Sequence, residues 1–121
     1  MFYLDRDVPL IHGHTLYIDS PWALTSISQA QFWREVDLEQ MGDGRVEGIL
    51  SIDVSDWEAP GLHNDRPAMF CSKEEIRDEV WAQLEASLDD VVLMSRLGEA
   101  YARFGGKVET HAIVRRVVEL L

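Results

Sequence analysis

The sequence holds one cysteine, Cys71. A single thiol cannot close an internal disulfide, which excludes a disulfide-stapled secreted scaffold. Cations are also scarce: 11 Lys and Arg stand against 22 Asp and Glu, for a formal net charge of −11. Phosphate binding needs clustered Lys and Arg, so no nucleic-acid partner is expected, and electrostatic docking on anionic lipid is disfavoured. Long apolar runs are missing. No stretch approaches the roughly 18 apolar residues of a membrane-spanning helix. The opening MFYLDRDVPL carries Asp5 and Asp7 and fits neither a signal peptide nor a membrane anchor. By elimination, the expected compartment is the cytoplasm. There is no G-x-G-x-x-G fingerprint. Neither Gly42-x-Gly44 nor Gly105-Gly106 lies between a strand and a following helix at phosphate-loop spacing. No serine sits in a nucleophile-elbow context.

What is present suits one globular unit: 121 residues, 46% of them apolar. The chain is organised around Asp19–Trp33, DSPWALTSISQAQFW, which gathers two Trp, a Phe, a Pro and several hydroxyl residues with no charge between Asp19 and Arg34. Thr15–Asp19 reads as a short strand, broken at Ser20-Pro21 because the residue before proline is pushed out of helical geometry. Residues 22–29 continue as a second strand. Alternation puts Trp22, Leu24, Ser26 and Ser28 on one face and Ala23, Thr25, Ile27 and Gln29 on the other. Such a strand is expected to be covered on both sides. Gly48–Trp57 is the clearest strand, with Leu50, Ile52 and Val54 opposite Ser51, Asp53 and Ser55. Residues 2–11 contain Pro9 and read as an edge strand or an irregular lead-in, one that looks cut rather than begun. The turn Met41-Gly42-Asp43-Gly44 and the Pro- and Gly-bearing stretch 58–71 separate these elements.

Ser72-Lys73-Glu74-Glu75 is a capping box, and Ile76, Val80, Trp81, Leu84 and Leu88 follow at helical spacing. A second helix is expected over about 90–104, where Leu93, Leu97, Ala100, Tyr101 and Phe104 share a face and Gly105-Gly106 closes it. One or two short strands follow in Lys107–Leu121. The predicted fold is α+β, a small mainly antiparallel or mixed sheet packed by two helices. Its parts are residues 1–88, strands then a helix at about 73–88, and residues 89–121.

Several groups could carry chemistry. His12 and His14, with Asp19 and His63, could complete a metal site, although no Cys or third His stands at ligand spacing; hydrogen-bonded histidines at a turn are the plainer reading. Asp53, Asp56 and Asp19 could supply paired carboxylates for acid–base work, or simply end strands and turns. Cys71, just before a helix cap, could have an activated thiol or be a small apolar residue beneath the cap. The rings of Trp22, Phe32 and Trp33 could bind an apolar ligand, face another domain or form core.

DSPWALTSISQAQFW, then GILSIDVSDWEAPG, then CSKEEIRDEVWAQL, resembles a segment of flavin-dependent oxidoreductases of the amine oxidase and carotenoid (phytoene) desaturase superfamily, nearest the hydroxysqualene-dehydroxylase-like members. The likeness covers about residues 2–88. It implies a substrate-domain fragment of a larger flavoprotein fold, acting with FAD on a hydrophobic isoprenoid or amine-like substrate. It implies that Trp22, Thr25, Ser26, Ser28 and Gln29 line or back the substrate pocket. Gly105-Gly106-Lys107-Val108, with Val114 and Val117, resembles the family's FAD-binding stretch. That likeness makes Val114 a backbone contact to the adenine end of FAD, though in the family the stretch precedes the substrate segment. Because the dinucleotide fingerprint is missing, this chain alone is expected neither to hold FAD nor to be active. Its expected partner is the remainder of a flavoprotein, or a second copy through the aromatic face. The alternative is a non-enzymatic α+β protein-interaction module.

Overall fold

The computed structural model describes residues 1–8 and 10–88. Four strands form one antiparallel sheet: β1 (Phe2–Leu4), β2 (His14–Leu16), β3 (Leu24–Ser28) and β4 (Gly48–Val54), in spatial order β1-β4-β3-β2. One helix, α1 (Lys73–Ser87), packs against it. This is the expected α+β architecture with a wholly antiparallel sheet. The helix expected over 90–104, the C-terminal strands and Val114 lie outside the described residues. No described helix is long and apolar enough to cross a membrane.

The register explains which face is buried. Leu24, Ser26 and Ser28 of β3 stand opposite Val54, Ile52 and Leu50 of β4, and Phe2 stands opposite Leu50. Directly paired residues share a face, so these side chains form one surface, and α1 lays Val80, Trp81 and Leu84 against it. The Phe2 and Trp81 rings meet edge to face at 5.2 Å. The capping box is present as expected: Ser72 Oγ accepts from the Glu75 N–H at 3.2 Å, and Glu75 Oε2 accepts from the Ser72 N–H at 2.7 Å.

The strands are shorter than the β-branched runs suggested. β2 covers His14–Leu16 rather than Thr15–Asp19, and β3 begins at Leu24 rather than at position 22. The turn chemistry of the connection is the reason. Ser20 Oγ donates to the Tyr17 C=O at 2.8 Å and accepts from the Leu24 N–H at 2.7 Å. Such local side-chain bonds compete with the ladder. Ala23 takes a left-handed φ of 48°, which a strand does not allow. β4 stops at Val54 rather than Trp57, because Ser55 and Asp56 both turn their N–H groups to the Trp22 C=O.

Trp22 sits at the junction and is fully buried. Its indole N–H donates to the Ala59 C=O at 3.0 Å, and its backbone N–H donates to Gln83 Oε1 at 3.1 Å. Gln83 Nε2 in turn donates to Glu79 Oε1 at 2.7 Å. Glu79 is likewise fully buried. Its carboxylate accepts from three consecutive backbone amides, Leu62, His63 and Asn64, the last two at 2.9 Å to Oε2. Burying a carboxylate costs several kcal/mol, and hydrogen bonds to the charged form, each worth about 1.5–3 kcal/mol, offset that cost. Gly61 is required at the foot of this nest, where a Cβ would stand 2.6 Å from Glu79 Cδ.

Two stability predictions follow from these contacts. Glu79→Ala leaves three backbone amides and the buried Gln83 side chain unanswered and is expected to lower unfolding free energy by about 3 kcal/mol or more. Ser72→Ala removes only a cap and is expected to cost about 1 kcal/mol. Urea melts of the two variants measure both, and equal losses would contradict this ranking.

Candidate functional site

The second face of the sheet carries the alternate residues of each strand. From the register, Leu16, Thr25 and Asp53 form one row, and His14, Ile27 and Ser51 the next. Tyr3 and Ile49 lie together toward the β1 edge. Ile49 is buried, but Leu16 is 69% and Tyr3 48% exposed, and Thr25 and Ile27 are half-buried. Among the described residues, α1 is the only α-helix, and it lies on the opposite face. The expectation that β3 is covered on both sides holds for Leu24, Ser26 and Ser28 but not for Thr25 and Ile27.

The five residues expected to line or back a pocket therefore divide. Thr25 projects from the open face, and past the end of β3, beyond Ile27, Gln29 Nε2 donates to Ser51 Oγ at 3.2 Å. Trp22, Ser26 and Ser28 belong to the interior, behind the sheet. Their polar atoms already have partners. Ser26 Oγ shares a 2.8 Å hydrogen bond with the Tyr17 hydroxyl, and Ser28 Oγ donates to Asp7 Oδ1 at 3.1 Å. The hydroxyl-rich side of β3 thus serves tertiary structure, holding the segments on either side of β2 against the sheet.

The three rings that could have been one cluster are separated by exposure. Trp22 is enclosed, whereas Phe32 and Trp33 are 42% and 37% exposed. Both follow β3 through the 3-10 turn Ala30–Phe32. His12 leans on Phe32, with ring centroids 5.1 Å apart, and Gln31 Nε2 donates to the Ile11 and Ser28 carbonyls, tying residues 11–12 to this turn. The metal reading of His12, His14, Asp19 and His63 is not supported by the geometry. Among the described residues, no group of three or more His, Cys, Asp or Glu converges on a point. Asp56 is a turn carboxylate, accepting from the Glu58 and Ala59 N–H groups at 3.0 and 2.9 Å. Cys71 is partly buried, and its thiol donates to the Pro67 C=O at 3.3 Å.

A second feature was not singled out from the sequence. An open groove of about 480 Å³ runs between α1 and the β1 end of the sheet. Phe2, Ile52, Val54, Ile76 and Val80 supply apolar lining, and Lys73, Glu74 and Arg77 supply charge. β1 pairs with Gly48–Leu50, and Ile52 and Val54 of β4 lie beyond the last pair. A second hollow of about 480 Å³ lies at the other end of α1, between Thr15–Pro21 and Ala86–Leu88.

Two groups show electrostatics set by their surroundings. The backbone N–H of Ser72, with the Arg66 guanidinium 2.5 Å away, holds the Glu75 carboxyl below its usual value. Burial pushes the Tyr17 hydroxyl above the ordinary tyrosine value, outweighing its hydrogen bonds to Ser26 and Thr15. No family model, curated protein or solved structure matches the chain.

The raised value at Tyr17 has a defined sign. The folded chain holds this proton more tightly than the unfolded chain, so its contribution is complete below about pH 10, the ordinary tyrosine value. The contribution is lost as pH rises through the higher folded value. Thermal melts across alkaline pH should show wild type losing more stability than Tyr17→Phe; parallel curves would contradict the assignment.

Proposed function

We propose that this chain is the substrate-domain segment of an FAD-dependent oxidoreductase acting on a hydrophobic isoprenoid or amine-like substrate. The observation that carries the reading is the one-sided cover of the sheet. α1 seals one face, and the other is left with Ile27, Leu16, Thr25 and Gln29, a mixture of apolar area and a few polar groups. Ligand pockets have that composition. In this reading Thr25 and Gln29 touch the substrate. Trp22, Ser26 and Ser28 hold β3 rigid from behind, as a positioned wall requires. The flavin would supply the redox chemistry when bound, and this segment would orient the substrate and exclude water. Its own catalytic activity is expected to be nil. The other wall, and the dinucleotide-binding part, come from the remainder of the flavoprotein.

Fluorescence titration of the purified chain with a long isoprenoid alcohol tests this. Saturable quenching of the exposed Trp33 is expected, weakened in Thr25→Asp, with no tight uptake of FAD in a parallel absorbance titration. Absence of saturable quenching, or quenching indifferent to Thr25→Asp, overturns the substrate-wall reading. Tight binding of FAD by the chain alone overturns the dependence on a further domain.

A second reading, a non-enzymatic interaction module, is favoured by the paired exposure of Phe32 and Trp33. Aromatic residues of this kind are enriched at interface cores. It predicts a concentration-dependent dimer in light scattering that Trp33→Ser abolishes; a monomer at all concentrations counts against self-association.

A further inference from the structure

The hydrogen-bond partners around the end of the Glu79 side chain are all donors. Oε1 accepts from the Leu62 N–H, from the His63 N–H at 3.2 Å and from Gln83 Nε2 at 2.7 Å. Oε2 accepts from the His63 and Asn64 N–H groups, each at 2.9 Å. A group seated there must present acceptors at both points and no hydrogen. A carboxylate meets that requirement, whereas an amide of the same shape turns N–H groups toward other N–H groups. Successive backbone amides turned to one side form an anion-binding concavity of this kind.

The loop shapes this concavity with bonds that do not involve Glu79. Gly61 N–H donates to the Arg66 C=O at 2.9 Å, and Pro60 faces Pro67 across a bridge. Within the turn so closed, Asn64 Oδ1 accepts from the Arg66 N–H at 3.0 Å, and Asn64 Nδ2 donates to Cys71 Sγ at 3.4 Å. Arg66 Nη2 donates to the Phe70 C=O at 2.6 Å. Gln83 is aimed independently as well, because its Oε1 accepts from the Trp22 N–H at 3.1 Å. The donors are thus preorganised and keep their directions when the carboxylate is taken away. The fit is also close: a Cβ at Gly61 would stand 2.8 Å from Glu79 Oε1.

We propose that Leu62–Asn64, together with Gln83, is a receptor for a short carboxylate, filled in cis by Glu79, and that it takes a free carboxylate once that side chain is shortened. Glu79→Ala removes one methylene and the carboxylate, which are the heavy atoms of acetate. The space vacated is fully buried, so acetate fits by shape as well as by acceptors. Butyrate is longer by two methylenes and overfills it. Acetamide has the shape of acetate but carries N–H groups where the site needs an acceptor. The inference rests on the loop and α1 alone and does not depend on the flavin reading.

The test is thermal unfolding of wild type and Glu79→Ala in sodium acetate, sodium butyrate, sodium chloride, or chloride plus acetamide, at matched ionic strength. Amide hydrogen exchange is the structural readout. In the variant, acetate should raise the unfolding midpoint saturably, by about 4 °C or more, because it binds only the folded chain. It should also restore exchange protection at the His63 and Asn64 N–H groups. Wild type, whose site is filled, should gain nothing from acetate over chloride. If Glu79→Ala does not fold in chloride, acetate should recover its helical circular dichroism on refolding, and failure to do so overturns the receptor. No gain in the variant, an equal gain with chloride, butyrate or acetamide, an equal gain in wild type, or a gain without protection at His63 and Asn64 each overturns it too.

Discussion

A carboxylate with no access to water holds the described structure together. The Glu79 side chain could not be buried without donors on several sides, and the chain provides them from the Leu62–Asn64 backbone and from Gln83. The same contacts fix three otherwise independent parts: α1, the loop before it, and the start of β3 through Gln83 and Trp22. Replacing a buried charge with apolar groups of matching shape can be neutral, but removing one partner alone is costly. The arrangement therefore specifies one placement of the loop more than it adds net stability.

That placement determines what remains outside. With α1 locked over the Leu24–Ser28 face, the opposite face keeps Thr25, Ile27 and Leu16 in contact with solvent. The hydroxyls that looked available for a ligand, Ser26 and Ser28, are used to anchor Tyr17 and Asp7. The residues free to meet a ligand are then few, with Thr25 the clearest. The substrate-wall reading is correspondingly narrower than the residue pattern alone suggested.

The legible parts of the fold were those governed by short-range rules. The Ser72–Glu75 box and the period-two run of β4 each depend on a few neighbouring residues, and both are present. Glu79 and Gln83 were opaque for a physical reason. Acidic and amide residues four apart on a helix usually describe a solvated stripe, and only the arrival of the 62–64 backbone makes them interior. Ala23 was misjudged because alanine gives no warning of a left-handed backbone. The groove could not be foreseen at all, since its lining comes from β1, β4 and α1 together rather than from any motif. Within the candidate site, alternation correctly put Thr25 and Gln29 opposite Ser26 and Ser28. It could not say which face the helix would take.

The loop ahead of α1 contains a small barrier to misassembly. Pro60 and Pro67 face each other across an isolated bridge, and Gly61 N–H closes it onto the Arg66 C=O at 2.9 Å. Neither proline has an amide hydrogen to offer a neighbouring chain, so the bridge cannot grow into a ladder. Aggregation by stacking of extended segments is blocked on that flank by covalent chemistry rather than by charge, and high salt would leave this protection intact.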